Sequence, residues 1–294
     1  MYQGRQGYWS AVACFTIWGI MPIYMRLMKS VPALQIVTHR LLWSFIILLS
    51  LLWFNQNLKS LIKTLSYKLI GIYTFSALCI ASNWLLYVWG TNDGLIIEVS
   101  LGYFINPLVS VLLGVIVLKE RLRIWQTISV LIAAIGVAYL SFSYGQIPWL
   151  ALGLAVSFGV YGLVRKMAPL GAVQGLALET ALLLPFALIY MAYLLIHKES
   201  AFLHQSRDID ALLIGAGLVT TIPLLLFNYA AQKVSLILIG VFQYIGPTLQ
   251  FLIGVFLYHE TISHHVLMGF SCVWLALGIF AAEGFVRYQQ RLNI

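Results

Sequence analysis

From Ile124 to Val164 the chain carries no Asp, Glu, Lys or Arg. A helix that crosses a bilayer needs roughly 20 apolar residues, so this interval is too long for one crossing. The segment Ser-Phe-Ser-Tyr-Gly-Gln-Ile-Pro, residues 141–148, divides it at a turn. In hydrocarbon every backbone N–H and C=O must be satisfied within the protein, which leaves helices as the form for such runs. The same spacing of charges along the rest of the chain predicts ten spans: 7–27, 33–54, 66–91, 96–118, 124–143, 147–166, 172–196, 211–231, 235–258 and 265–286. Charged residues make up 9% of the sequence and hydrophobic ones 62%, whereas soluble domains average about 25% charged. The expected class is therefore an all-α integral membrane protein. The first span has no small-residue cleavage site and reads as a retained helix, not a signal peptide.

Two of the spans share an unusual device. The stretch Glu98–Glu120 holds Pro107 in its apolar interior, which leaves the carbonyl of Tyr103 without its helical donor. Helical spacing puts Tyr103, Asn106, Ser110 and Gly114 on one face, small and polar, with Leu, Val and Ile behind. Ile239–Glu260 repeats the pattern with Gln243, Gly246, Gln250 and Gly254, and Pro107, Gly114 and Glu120 match Pro247, Gly254 and Glu260 at a constant shift of 140 residues. Gly19 and Gly159, Arg26 and Lys166, and His39 and Glu179 are related by the same shift of 140. The chain reads as a duplication, with residues 1–143 as the first unit and 144–294 as the second. Five spans per unit is an odd number, so the second unit should enter the membrane upside down. Such inverted repeats place their binding sites where corresponding broken helices meet, here at a central cavity between the fourth and ninth spans.

The formal net charge of +8 does not point to nucleic acid, because of where the charges lie. With a cytoplasmic N-terminus, twelve Lys and Arg collect at the cytoplasmic ends and four (Arg26, Lys29, Lys198 and Arg207) at the outer ends. That is the positive-inside bias, and it places both termini in the cytoplasm. Cys14, Cys79 and Cys272 all fall inside apolar spans, giving neither a disulfide framework nor a zinc spacing. No Walker A sequence is present, and His264-His265 reads as interfacial. No metal or cofactor is expected.

The candidate site residues are polar groups inside spans. Arg40 lies about 12 Å along the second span at 1.5 Å per residue, near the middle of a ~30 Å hydrocarbon core. A guanidinium there is costly unless it meets a partner or water. It can serve as a substrate or coupling-ion contact, form a structural ion pair, or snorkel to a headgroup. His39 stands beside it. Asn83 and Tyr87, one turn apart, can face a substrate or bond between helices. Glu179, seven residues into the seventh span, is the only acid placed deep in a span. It can carry a proton, bind a substrate amine, or act as a fixed partner of Arg40. Tyr103, Asn106, Gln243 and Tyr244 would add hydrogen bonds and an aromatic wall. Glu98, Glu120 and Glu260 read as helix-end residues, and the polar loop 197–210 as external and mobile.

The runs HRLLWSF at 39–45, NWLLYVWG at 83–90, SLGYFINPL at 100–108 and QYIGPT at 243–248 closely resemble RarD-type permeases. These form part of the EamA group in the drug/metabolite transporter superfamily. The resemblance implies a bacterial inner-membrane transporter with ten helices in two five-helix repeats, and a family name tied to chloramphenicol sensitivity or resistance. The function expected is a secondary carrier, not an enzyme, for a small amphipathic, amino-acid-like metabolite or a drug. Arg40 would face its carboxylate, and Glu179 its amine or a proton. A membrane-embedded enzyme or a non-transporting scaffold are the other classes. Neither explains a duplicated proline break, and no nucleophile–base pair or cofactor loop is visible. The orientation gives the first prediction. In intact cells a membrane-impermeant thiol reagent should modify Ser206→Cys and spare a cysteine at the N-terminus; the reverse pattern would put both termini outside.

Overall fold

Ten helices among the described residues are long and apolar enough to cross a membrane. They are span 1 (Arg5–Arg26), span 2 (Ala33–Phe54), span 3 (Tyr67–Asn92), span 4 (Glu98–Ile116), span 5 (Ile124–Ser143), span 6 (Trp149–Met167), span 7 (Ala172–His197), span 8 (Arg207–Lys233), span 9 (Leu236–Leu257) and span 10 (His264–Val286). The computed structural model describes residues 2–143, 145, 147–259 and 263–292, so Glu260 lies outside the described residues. One element was not anticipated: a short helix, Leu58–Thr64, between spans 2 and 3.

Local chemistry explains where the helices begin. Ser66, Ser206 and Ser235 sit in extended backbone at the starts of spans 3, 8 and 9, and each hydroxyl accepts from the amide three residues on, at 3.2, 3.2 and 3.3 Å. Pro32 and Pro148 precede spans 2 and 6. Two acids cap helices other than their own. Glu120, just after span 4, accepts from the amides of Leu236 (2.8 Å) and Ile237 (2.9 Å) at the start of span 9, and Glu98 accepts from Leu150 N at 3.1 Å near the start of span 6. The acids expected at helix ends therefore tie spans together.

The spans that carry Pro107 and Pro247 differ. Span 9 is an α-helix over Leu236–Gln243, breaks at Tyr244, resumes over Ile245–Leu252 and finishes as a π-turn, Ile253–Leu257. The break follows Gln243, whose carbonyl loses its helical donor to Pro247. Helix Ile96–Ile116, which contains span 4, runs on through Pro107 without interruption. The two expected breaks are thus one break and one continuous helix.

Span packing follows the repeat closely. Span 4 packs on span 6 as span 9 packs on span 1, span 1 on span 8 as span 6 on span 3, and span 2 on span 8 as span 7 on span 3. The pairs 5–10, 4–9 and 2–7 map onto themselves under the same exchange. Lys119 and His259, 140 residues apart, both adopt left-handed backbone, with φ of 55° and 53°. The exchange is not complete: most markedly, spans 6 and 8 pack together, whereas their counterparts, spans 1 and 3, make at most marginal contact, and spans 4 and 5 approach more closely than spans 9 and 10.

Small residues permit the closest crossings. A Cβ on Gly240 would lie 2.7 Å from the Pro107 carbonyl oxygen, where span 9 meets span 4, and one on Gly217 would lie 2.3 Å from Trp43 Cβ, where span 8 meets span 2. Gly240→Ala should therefore destabilise the protein by about 1–3 kcal/mol. Gly71→Ala, with nothing within 4 Å, should change stability by less than about 1 kcal/mol. Thermal unfolding in detergent tests the pair, and equal effects would contradict the packing at Gly240.

Candidate functional site

Between spans 1 and 3 lies a cavity of about 420 Å³. Span 1 contributes Trp18, Met21, Met25 and Arg26, span 3 Asn83, Trp84 and Tyr87, span 4 Gly102, Tyr103 and Asn106, and span 9 Gln243, Gly246, Pro247 and Gln250. Arg40 enters from span 2. Arg26 is the last residue of span 1, so the cavity reaches that end of the bundle. Its volume falls in the range that holds a drug-sized molecule.

Arg40 is held by its inner edge. Its Nε donates to Thr220 Oγ1 at 2.7 Å, and the Thr220 hydroxyl donates onward to Ala216 O at 2.7 Å. The guanidinium carbon sits 5.3 Å from the Trp84 ring centroid. Tyr87 and Tyr103 meet edge to face with centroids 6.4 Å apart. Gln243 Nε2 donates to Ser110 Oγ at 3.0 Å, joining spans 9 and 4, while its Oε1 and Asn106 Oδ1 are buried without a partner among the described residues. Asn83 Nδ2 donates to Leu154 O (2.9 Å) and Ser157 Oγ (3.1 Å), so this asparagine both bonds between helices and borders the cavity.

Beyond the cavity the bundle is shut by rings and then by buried charge. Trp18 packs against Phe158 (5.6 Å between centroids) and Phe227 (5.8 Å), and Phe227 stacks on Tyr161 at 5.8 Å. Behind that layer Arg165 Nη1 lies 3.4 Å from Glu179 Oε1, with side-chain exposures of 0% and 1%. Ser76 Oγ donates to Glu179 Oε1 at 2.6 Å, and the Tyr161 hydroxyl lies within reach of both Glu179 Oε2 (3.3 Å) and Asn228 Oδ1 (3.0 Å). Gly175 makes room for the guanidinium, since a Cβ there would fall 2.1 Å from Arg165 Nη1. At the end of the bundle, Lys166 Nζ donates to the carbonyls of Ala231 (3.3 Å) and Val234 (2.5 Å) and approaches Glu120 Oε1 at 3.9 Å.

Of the residues singled out in the sequence, Arg40, Asn83, Tyr87, Tyr103, Asn106 and Gln243 share the cavity wall. Three lie elsewhere. Glu179 is bound to Arg165, not Arg40, because the two halves put Arg40 and Glu179 toward opposite ends of the bundle. His39 is buried, 4.9 Å from the Phe202 ring, with neither ring nitrogen bonded among the described residues. Tyr244 turns away from the cavity, its hydroxyl 3.5 Å from Phe104 O. The loop expected to be mobile is anchored on span 2: Gln35 donates to Glu199 O at 2.8 Å and accepts from Ala201 N at 2.9 Å. Sequence reasoning missed Trp84 and Met25 on the wall and treated Arg165 as an end charge. An arginine inside the last turn of a span, 14 residues before the one deep acid, was the available signal. Among the described residues no group of three His, Cys, Asp or Glu side chains is placed to hold a metal ion.

The helices and the solute-sized cavity define a multi-pass membrane protein built around a binding chamber. The sequence model of the EamA-like transporter family matches residues 5–142. Protein RarD of Escherichia coli K12 is 44% identical over 292 residues, spanning 98% of this chain and 97% of that protein. The uncharacterized transporter YojE of Bacillus subtilis is 42% identical over 283 residues, 94% of this chain and 93% of YojE. The chloramphenicol-sensitive protein RarD of Pseudomonas aeruginosa is 26% identical over 277 residues, 92% of each chain. A crystal structure with 16% identity superposes with a TM-score of 0.71 over 93% of this chain and 96% of that one, a likeness of fold. The chain belongs to the EamA-like transporter family, among its RarD relatives, in the drug/metabolite transporter superfamily. It is a bacterial transporter that acts on small molecules in a membrane.

The Arg165–Glu179 pair yields a direct test. Removing one member leaves a buried charge uncompensated, at a cost of about 3–5 kcal/mol, whereas replacing both by apolar residues relieves it. Arg165→Met and Glu179→Leu should each lower the thermal midpoint and the yield of folded protein, and the double variant should recover both. A double variant less stable than either single one would contradict the pairing.

Proposed function

We propose that the protein is a secondary carrier that moves a small amphipathic solute across the bacterial inner membrane by exposing the cavity alternately to its two faces. The observation that carries this reading is the most marked asymmetry in the repeat exchange. Spans 6 and 8 are closed on each other while the equivalent spans 1 and 3 are parted around a solute-sized chamber. If the units are inverted copies, the opposite state is reached when 1 and 3 close and 6 and 8 part. With cytoplasmic termini, the observed cavity faces outward and the Arg165–Glu179 layer closes the cytoplasmic side. Arg40 contacts the solute's charged group, Tyr87 and Tyr103 its apolar body, and Asn83, Asn106 and Gln243 its polar groups. Tyr244 and His39 act from outside the chamber, at the span 9 break and beneath the 198–206 loop. Glu179 is the candidate proton carrier: opening of spans 6 and 8 exposes it to the cytoplasm, and loading it from the outer face requires a path past the ring layer of Trp18, Phe158 and Phe227.

Gly246 provides the test, since a Cβ there meets only Phe15 O, at 3.8 Å, and the residue borders the cavity. Gly246→Phe should fold with a thermal midpoint near that of the wild type. In proteoliposomes it should lose at least 90% of uptake for every amino acid, nucleoside or aromatic acid that the wild type moves. In the same vesicles Glu179→Gln should keep solute exchange and lose accumulation driven by a pH gradient. Wild-type flux through Gly246→Phe would place the path elsewhere, and unchanged pH-driven uptake in Glu179→Gln would remove the proton role.

A further inference from the structure

We infer that the solute is a net anion, an amphipathic carboxylate whose charged end docks on Arg40 and which carries no ammonium group. This rests on the carrier reading and names its cargo class. Arg40 is 9% exposed, and its only hydrogen bond among the described residues runs from Nε to Thr220. The terminal amino groups of the guanidinium have no hydrogen-bonded partner, and no carboxylate lies within ion-pair distance, among the described residues. A buried guanidinium in this state is under-compensated. Its remaining planar fork, on the wall of a solute-sized chamber, matches the two oxygens of a carboxylate.

The rest of the wall separates anions from zwitterions. Arg26, stacked 3.9 Å over the Tyr258 ring at the mouth, is a second cation, and among the described residues no Asp or Glu lines the cavity. The described lining thus carries two positive charges and no negative one. A monoanion lowers that excess, a zwitterion leaves it unchanged and a cation raises it. In a site walled by rings such differences are screened far less than in water. Glu179, which could have faced an ammonium, lies behind the ring layer, bonded to Arg165. The unpartnered oxygens of Asn106 and Gln243 suit a neutral O–H or N–H on the solute. With two guanidinium groups on the same wall they are a poor seat for an ammonium. Trp84, Tyr87 and Tyr103 provide ring surface for the body between the two ends.

Four compounds on one skeleton test this by isothermal titration of the purified wild-type protein in detergent. They are 3-(4-hydroxyphenyl)propionate, its neutral propionamide, L-tyrosine and tyramine. The propionate should bind at least tenfold more tightly than the propionamide or L-tyrosine, and tyramine should not bind. Arg40→Gln should weaken the propionate at least tenfold and leave the propionamide unchanged. If that variant fails to fold, Arg40→Lys, which keeps the charge and loses the fork, should show a smaller loss of the same ligand only. L-tyrosine or tyramine binding as tightly as the propionate, equal affinity for propionate and propionamide, or no binding by any of the four would overturn the inference. The same compounds in proteoliposomes separate the two readings. Flux of L-tyrosine without flux of the propionate leaves the carrier standing and sinks the anion. Tight propionate binding without flux does the opposite.

Discussion

A charge inside a bilayer-spanning bundle must be paired, hydrated or offered to a ligand, and this protein uses different solutions at its two ends. Arg165 and Glu179 are paired, completely buried and surrounded by the hydroxyls of Ser76 and Tyr161. Arg40 is anchored by one hydroxyl and turned toward a cavity. The layer of Trp18, Phe158 and Phe227 lies between these two environments.

The closed end combines a continuous apolar cluster, running through Tyr73, Leu170, Leu176, Ala230, Val234 and Leu236, with polar contacts that can be exchanged. Glu120 caps span 9, Lys166 donates to the last carbonyls of span 8, and Glu120 and Lys166 approach each other at 3.9 Å. Water can replace each of these bonds at modest cost. Among the described residues, Nε and Nη2 of Arg165 have no hydrogen-bond partner by geometry, while the guanidinium carbon lies 5.3 Å from the Tyr73 ring centroid. The pairs 5–10, 4–9 and 2–7 map onto themselves under the exchange of residues 140 apart.

Much of this was legible in the sequence. Charge-free intervals set the number of spans and nearly all their limits, because a backbone in hydrocarbon has only one local way to satisfy its hydrogen bonds. The shift of 140 residues linked Pro107 with Pro247, and the polar faces of spans 4 and 9 correctly predicted Tyr103, Asn106 and Gln243 as neighbours of one cavity. Those residues were readable because helical periodicity assigns them to a face before any packing is known.

Partnerships were not legible. Arg40 and Glu179 were the two deep charges by position, yet Thr220 holds the first and Arg165 the second. Periodicity gives each charge a depth and a face but no neighbour: Thr220 lies 180 residues from Arg40, and Arg165 reaches Glu179 across the turn between spans 6 and 7. Likewise, equal proline motifs left span 4 continuous and broke span 9, since Pro107 lies against Gly240 whereas Pro247 borders the cavity. The sequence by itself determined that this chain carries ten membrane spans and a polar seam along spans 4 and 9. Only the tertiary structure decided which end of that seam is open, because that is set by contacts between spans distant in sequence, not by local propensity.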